Sequence, residues 1–239
     1  MSTILVYTSP ARGHLYPALG IALELRRRGH RVHVRTMSGE VSRVEELGVQ
    51  ADSIDPAIEA RELDDWKSRT PIEALGRSLR TFSDRAQYEV TDLEDALRQT
   101  GADFVLVDTN TWGAQAAAEA SGLPWATFQP YFTPLSGDAV PPFGPGLRRR
   151  TDFVGRMRDT AARPLVMGWM SKLALPGLNA PRVRLGLPEL TSMDAFLTNP
   201  PAVLYLTSPE LEYPRHEWPA NFWLVGPVEW MSLIHISEP

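Results

Sequence analysis

The chain of 239 residues contains no cysteine, no excess of positive charge and no long apolar run. The absence of cysteine excludes disulfide bonds and thiolate metal sites. The net charge is −5, and the two compact basic runs, Arg26 to Arg28 and Arg148 to Arg150, are interpreted as a helix end and a solvated helix start, so nothing indicates nucleic-acid binding. No stretch approaches the roughly 20 apolar residues of a membrane span, and no basic segment precedes the first apolar run. These absences predict a cytoplasmic protein with no nucleic-acid partner and no membrane span.

Several motifs of nucleotide-binding and hydrolytic enzymes are also missing. The turn from Ser9 to His14 has one glycine where a dinucleotide fingerprint needs three, and no Gly-Lys-Ser/Thr phosphate loop or Gly-x-Ser-x-Gly elbow occurs. His30, His33 and His216 lack the spacing of metal ligands, so surface or core positions are expected for them. The sequence therefore indicates no metal site.

The first 36 residues predict a strand, a helix and a second strand. Residues 4–7 are a short β-branched and aromatic run, typical of a strand buried on both faces. Apolar residues then recur at helical spacing from Leu15 to Leu25, with Pro17 suited to a first turn and Gly29 to the C-terminal end. A second strand follows over 31–36. Because such a crossover is right-handed and its strands parallel, the turn at His14 should lie at the carboxyl edge of a sheet, where open α/β sheets bind ligands.

The rest of the chain continues to alternate between strands and helices. Apolar residues spaced by threes and fours predict a long amphipathic helix from Ile72 to Leu97, ended by Gly101. Further helices are expected over 40–47, 114–120, 151–175 and 179–187, and further strands over 49–54, 104–108, 125–129, 202–207 and 222–225. This alternation predicts an α/β fold with a doubly wound, mostly parallel, Rossmann-like sheet.

His14 and Asp108 are the candidate catalytic pair. In a sheet of order 3-2-1-4-5 the first and fourth strands are neighbours, and the loops that follow them part in opposite directions. This placement would let the Asp108 carboxylate accept a hydrogen bond from one ring nitrogen of His14 and leave the other nitrogen to act as a base. In the alternative interpretation, His14 is only a turn residue and Asp108 caps the next helix.

Aromatic residues near the same edge are candidate walls of a ligand pocket. Trp66 lies in a charged segment, 55–70, which either reaches over the binding face or merely connects two elements. Trp112 follows Asp108 by four residues and could equally be core. Phe132 and Phe143, with Tyr131, follow the fifth strand in a loop rich in proline and glycine, where they could line an apolar pocket or only pin the loop.

At these residues the sequence resembles the inverting, GT-B-fold, UDP-glycosyltransferase-like enzymes of bacteria that glycosylate macrolides and other small aglycones. The resemblance covers nearly the whole chain to about Trp230. It rests on these positions: Gly13-His14 with Pro17, Arg28 to Val32, Val107-Asp108 with Trp112 and Ala116, Gly122 to Pro124, and the run Pro219 to Pro227.

The resemblance implies a glycosyltransferase of the hexosyltransferase type, acting in natural-product glycosylation and antibiotic biosynthesis. His14 would be the general base toward a hydroxyl of a small hydrophobic acceptor, and Asp108 would orient it. Trp66, Trp112, Phe132 and Phe143 would bind the acceptor, and Arg12 and Gly13 would lie in a loop near the donor. The co-substrate would be a UDP- or dTDP-linked nucleotide sugar, and no metal or other cofactor is expected.

The resemblance also implies a second, Rossmann-like domain that would bind the donor, and its motifs have no counterpart here. We therefore expect residues 1–230 to be the N-terminal, acceptor-binding domain of a GT-B enzyme with the second domain missing. Residues 231–239 look atypical, as a truncation or cloning remnant would. Sugar transfer by the chain on its own is not expected. One alternative is a catalytically silent small-molecule binding module; a nucleotide-sugar epimerase is a disfavoured one.

Overall fold

A computed structural model describes residues 1–138, 140–215 and 217–228. Seven parallel strands form one sheet in the order β3-β2-β1-β4-β5-β6-β7. The strands are β1 Thr3–Tyr7, β2 Arg31–Thr36, β3 Gln50–Ser53, β4 Phe104–Asp108, β5 Trp125–Gln129, β6 Val203–Tyr205 and β7 Phe222–Leu224. The predicted α/β class, the parallel sheet and the neighbouring placement of the first and fourth strands are confirmed.

Seven α-helices connect or follow these strands. They are α1 Arg12–Arg27, α2 Val41–Glu46, α3 Pro56–Glu59, α4 Pro71–Thr100, α5 Trp112–Ala120, α6 Phe153–Arg184 and α7 Met193–Thr198. The long predicted helix is α4. It begins after Thr70, whose hydroxyl accepts from the backbone N–H of Glu73 at 3.2 Å, and it ends at Gly101. Gly101 adopts the left-handed conformation, with φ +59°, that glycine reaches at little cost.

Apolar side chains cover both faces of the sheet. On one face α1 and α2 pack on β1 and β2 through a cluster that includes Val6, Leu19 and Val34. On the other face the second half of α4 and all of α5 pack through a cluster that includes Leu5 and Leu93. Because alternate residues of β1 point into different clusters, the strand is buried on both sides, as its unbroken apolar run predicts.

A third cluster joins the first half of α4 to α6, α7 and the last two strands. Leu79 and Trp112 meet Met170, Phe196 and Tyr205 in this cluster. The cluster lies beyond the carboxyl end of β4, because Trp112 is the first residue of α5. The third cluster therefore lies next to the carboxyl edge of the sheet, where a ligand is expected.

The expectation of two separate helices, over 151–175 and 179–187, is wrong, because α6 is continuous from Phe153 to Arg184. Pro164, Pro176 and Pro181 lie inside this helix. Each removes one backbone hydrogen bond, which costs about 3 kcal/mol in an isolated helix. The buried stripe of Met170, Ala174, Leu178 and Arg182 nevertheless runs past the last two prolines at a spacing of four, so tertiary packing holds the helix together.

Smaller expectations also need correction. Pro17 lies in the second turn of α1 rather than the first, because α1 begins at Arg12. The segment 55–70 is not all loop: α3 forms there, and the Asp55 carboxylate accepts from the N–H of Ala57 at 2.7 Å. The short helix α7, capped by Ser192, was not predicted. The expectations for His216 and for residues 231–239 concern positions outside the described residues.

Candidate active site

His14 occupies the first turn of α1, directly after β1. The strand ends at Tyr7, and after four intervening residues the chain enters α1 at Arg12. Hydrogen bonds from the backbone N–H of Ala11 to the carbonyl of Ser9, at 2.7 Å, and from His14 to the carbonyl of Ala11, at 3.0 Å, shape this turn. The side chain of His14 is 15% exposed, so one edge of the ring remains accessible.

Asp108 ends β4, the neighbour of β1, and its side chain is fully buried. Its Oδ2 accepts from the backbone N–H of Ser9 at 3.0 Å and from the Ser9 hydroxyl at 2.7 Å. Its Oδ1 accepts from the backbone N–H of Asn110 at 2.9 Å. The carboxylate is therefore held by groups from both strand ends, which sets its position before any ligand binds.

The two predicted catalytic residues meet in the structure. His14 Nδ1 lies 3.0 Å from Oδ1 and 2.9 Å from Oδ2 of Asp108. Since a carboxylate can only accept, the proton of the neutral imidazole belongs on Nδ1, and Nε2 carries the lone pair. The pair thus has the geometry of a general base with its orienting acid.

The pKa values of this pair move in opposite directions. Burial alone would lower the pKa of His14, but the negative charge and hydrogen bond of Asp108 outweigh it, and the pKa is raised above 6.5. Burial alone would raise the pKa of Asp108, but the charge of His14 and bonds from His14, Asn110 and Ser9 lower it. Asp108 is therefore ionised when His14 accepts a proton.

Asn110 and Tyr131 complete the site, and neither was predicted as part of the catalytic group. The Asn110 side-chain Nδ2 lies 3.3 Å from His14 Nε2, and the Tyr131 hydroxyl donates to Asn110 Oδ1 at 2.7 Å. The Tyr131 and His14 rings lie 5.7 Å apart at an angle of 56°. The available sequence signal was position alone, since Asn110 follows β4 and Tyr131 follows β5 at the same sheet edge.

A cavity of about 320 Å³ borders Asn110 and Tyr131. Most of its lining is apolar, and among the residues that form it are Phe82, Trp112, Phe143, Met170 and Phe196. The ring of Trp112 meets Phe82 and Phe196 edge to face, with centroids 5.7 Å and 6.0 Å away. Trp112 is therefore a buried core residue that also lines the cavity, and its role toward a ligand stays a prediction.

A second cavity of about 670 Å³ lies beside the first and shares Pro134 and Phe143 with it. Phe132 lines this larger cavity and is 60% exposed. Arg163 and Arg215 also line it, and both donate to backbone carbonyls of the 135–140 segment. The loop after β5 thus contributes predicted aromatic residues to both cavities.

Trp66, Arg12 and Gly13 lie apart from this cluster. Trp66 is 76% exposed on a 3-10 turn, where Lys67 Nζ lies 5.1 Å from the centre of its ring, and it lines neither cavity. Arg12 Nε binds Glu40 Oε1 at 2.6 Å, on the side of α1 that faces β2. A Cβ atom at Gly13 would have nothing within 4 Å, so the first turn of α1 leaves open space there.

The carboxylate that caps α5 is Glu89 rather than Asp108. Glu89 Oε2 accepts from the backbone N–H of Gly113 at 2.9 Å. Burial raises the pKa of Glu89 to about 8, against the opposing effects of the Gly113 hydrogen bond and the charge of Arg85. The alternative in which Asp108 caps the next helix is thereby excluded. The Asp108 carboxylate instead accepts a hydrogen bond from His14.

Comparison with known proteins agrees with the fold. No protein-family model matches the chain. It is 28% identical over 233 residues to 4'-demethylrebeccamycin synthase of Lentzea aerocolonigenes, covering 94% of this chain and 55% of that protein. The described chain has no helix both long and apolar enough to cross a membrane.

Solved structures of glycosyltransferases share the architecture. The glycosyltransferase of kitacinnamycin superposes with a TM-score of 0.66 at 21% identity, over 95% of this chain and 51% of that one. A glycosyltransferase of Streptomyces sp. SF2575 complexed with thymidine diphosphate gives a TM-score of 0.57 at 16% identity, over 89% and 51%. The expected GT-B type of Rossmann-like fold is confirmed, and the chain spans about half the length of the curated relatives it matches.

Proposed function

We propose that this chain is the acceptor-binding half of an inverting glycosyltransferase that transfers a sugar from a nucleotide-sugar donor to a hydroxyl of a small hydrophobic acceptor. The observation that carries the proposal is the His14–Asp108 pair, whose second ring nitrogen, Nε2, faces Asn110, a residue that lines an apolar cavity. The two solved structures named above are glycosyltransferases of the same fold, which supports the reaction class.

In the proposed reaction His14 Nε2 takes the proton of the acceptor hydroxyl as its oxygen attacks the anomeric carbon of the donor. A carbon–oxygen bond forms on one face while the bond to the diphosphate breaks on the other, and the leaving diphosphate keeps the electron pair. This inverts the configuration of the carbon. Asp108 stabilises the imidazolium that results, because it is ionised and already bound to Nδ1.

The acceptor would lie in the apolar cavity beside Asn110 and Tyr131. Trp112 and Phe143 line that cavity and Phe132 lines the adjoining one, which supports acceptor roles for these three residues. Trp66 reaches an acceptor only if the ligand extends over the surface beyond both cavities. A hydrophobic acceptor with one hydroxyl directed to His14 fits these surroundings.

The donor would be a UDP- or dTDP-linked sugar, held mainly by a second domain. A related structure contains thymidine diphosphate, which supports a nucleoside diphosphate as the leaving group. Arg12 and Gly13, in the first turn of α1, are the residues of this chain that we assign to the donor side. The positive end of the α1 dipole there favours a diphosphate.

The test is sugar transfer by the chain joined to the donor-binding domain that the proposal requires. We expect His14→Ala to lower kcat by about 10²–10⁴-fold, the usual effect of losing a general base, and to leave acceptor affinity within about tenfold. His33→Ala is a matched control, because His33 is as buried as His14 and also binds an aspartate, Asp52, at 2.7 Å.

Retention of most of kcat by His14→Ala, or an equal loss in His33→Ala, would contradict the assignment of the base. A catalytically silent binding module would show acceptor binding and no transfer in the joined protein. Nothing in the structure favours that alternative, because binding alone requires no buried carboxylate behind the histidine.

A further inference from the structure

The hydrogen bonds around His14 continue beyond the pair with Asp108. In the first hydrogen bond, Nδ1–H of His14 donates to the Asp108 carboxylate. Because the proton is on Nδ1, Nε2 carries a lone pair. The group facing that lone pair is the Asn110 amide nitrogen at 3.3 Å, and the Asn110 oxygen accepts from the Tyr131 hydroxyl at 2.7 Å. From Tyr131 through Asn110 and His14 to Asp108, each donor thus faces an acceptor, and the series ends at the carboxylate, which only accepts.

The order of donors leaves Asn110 one orientation. Because Nε2 of His14 can only accept, it must face the amide nitrogen Nδ2, and the amide oxygen Oδ1 is then turned toward the Tyr131 hydroxyl, which donates to it. The backbone N–H of Asn110 also donates to Asp108 Oδ1, at 2.9 Å. One residue therefore holds both the neutral base and its carboxylate.

We propose that Asn110 and Tyr131, which line the smaller cavity, are positioning residues that hold His14 as the neutral Nδ1–H tautomer, with its Nε2 lone pair facing the Asn110 amide. Their relevance to catalysis rests on the proposed function, because only a base needs that lone pair. The acceptor hydroxyl must come within about 2.6–3.2 Å of Nε2, so it replaces the Asn110 N–H as the donor when it binds.

Other groups that face His14 do not substitute for this hydrogen bond. Asp108 approaches Nδ1 and favours the charged imidazole, while Arg85 of α4 acts through its positive charge and favours the neutral one. The Arg85 guanidinium is occupied by the carbonyl of Arg61, with Nε at 2.8 Å. Burial of the Tyr131 hydroxyl, with the charge of Asp108, raises its pKa and keeps it a donor.

The test is an NMR titration of the His14 imidazole in the chain as it stands, with His14→Gln to assign the signal. Asn110→Leu removes the donor to Nε2 and should raise the pKa of His14 by roughly half a unit to one unit, the effect of one ordinary hydrogen bond to the neutral form. Tyr131→Phe should raise it less, because Asn110 is then free to turn.

The double variant Asn110→Leu/Tyr131→Phe shows whether Tyr131 affects the pKa of His14 through Asn110, which we call a relay, or independently of it. If Tyr131 acts through Asn110, the double variant has the same His14 pKa as Asn110→Leu. The control is Tyr88→Phe. It removes a hydroxyl of α4 that accepts from Arg61, and it should leave the pKa of His14 unchanged. Nitrogen chemical shifts of the wild-type ring should show hydrogen on Nδ1.

An unchanged or lowered pKa in Asn110→Leu, or hydrogen on Nε2 in the wild type, would overturn the proposal. If Asn110→Leu does not fold, Tyr131→Phe decides, because it keeps the ring and an unchanged His14 pKa would then refute the relay. The titration needs no donor, acceptor or second domain. Its failure is therefore distinguishable from failure of the proposed glycosyltransferase activity.

Discussion

Two histidine–aspartate pairs of similar separation lie in different surroundings, and His14 binds its aspartate through Nδ1 whereas His33 binds through Nε2. His14 and Asp108 approach to 2.9 Å, and His33 and Asp52 to 2.7 Å, with histidine side chains 15% and 16% exposed. Asp108, however, is fully buried at the carboxyl end of a central strand, whereas Asp52 is 50% exposed in β3 at the edge of the sheet. The two pairs therefore share the contact between the side chains and differ in the burial of the carboxylate.

The two carboxylates differ in the hydrogen bonds they accept and in their exposure to solvent. Asp108 also accepts hydrogen bonds from Ser9 and from the backbone of Asn110, so its charge is stabilised without water. Asp52 lines a polar cavity of about 380 Å³ with Arg35 and other charged residues. A buried carboxylate acts on its histidine at low local dielectric, whereas a half-exposed one is screened by solvent.

The largest expected difference between the pairs is catalytic. In the joined two-domain protein, Asp108→Asn should lower kcat by about 10³–10⁴-fold, because an amide at this position no longer favours the tautomer with hydrogen on Nδ1. Asp52→Asn should leave kcat within about twofold. Steady-state kinetics on both variants make the measurement, and equal effects would remove the distinction between the two pairs.

The free energy of unfolding should show how closely α5, which follows Asp108, packs against α4. A Cβ atom at Gly113 would lie 1.8 Å from the carbonyl oxygen of Ala86, so Gly113→Ala must push α5 away from α4. We expect a loss of at least about 2 kcal/mol in urea unfolding. Gly168→Ala is the matched control in α6, where nothing lies within 4 Å, and it should stabilise by roughly 0.5–1 kcal/mol. A neutral Gly113→Ala would show that α5 can shift freely.

The pair with Asp108 should also make stability depend on pH. The folded-state pKa of His14 is raised, so its charged form contributes stability that is complete below about pH 6.5 and is lost as pH rises through the folded value. The lowered pKa of Asp108 keeps the carboxylate ionised down to below about pH 4. His14→Gln should therefore destabilise the chain more at pH 5.5 than at pH 9. The same substitution in an Asp108→Asn background should show little of this pH dependence.

A second pH-dependent effect, also a loss of stability as pH rises, is expected at Glu89, where the protonated form is the uncharged one. Its folded pKa of about 8 lies above the ordinary value near 4.3, so stability falls as pH rises between those values. Glu89→Gln keeps an acceptor for Gly113 N–H and removes the ionisable group. Relative to the wild type it should be more stable at pH 8 than at pH 5, as urea titrations at both values would show. A constant difference would mean that Glu89 is ionised in the folded chain.

Sequence patterns located most of the elements and the central pair. The bounds of β2, β4 and β5 agree with expectation, because a glycine or proline stands within three residues before each strand and ends the preceding helix. The pairing of His14 with Asp108 followed from topology, since the ends of adjacent parallel strands meet at one edge. The continuity of α6 could not be predicted, because local proline chemistry opposes it and only the stripe packed on α4 reveals it.

The sequence by itself determined the alternation of strands and helices, and with it the sheet edge at which His14 and Asp108 meet. Only the tertiary structure decided that Asn110 and Tyr131 join them, and that Trp66 lies outside both cavities. The physical reason is the separation along the sequence over which each effect acts. Periodicity and turn chemistry act over a few residues, whereas the distance from Asn110 to Tyr131 depends on how two loops pack across the end of the sheet.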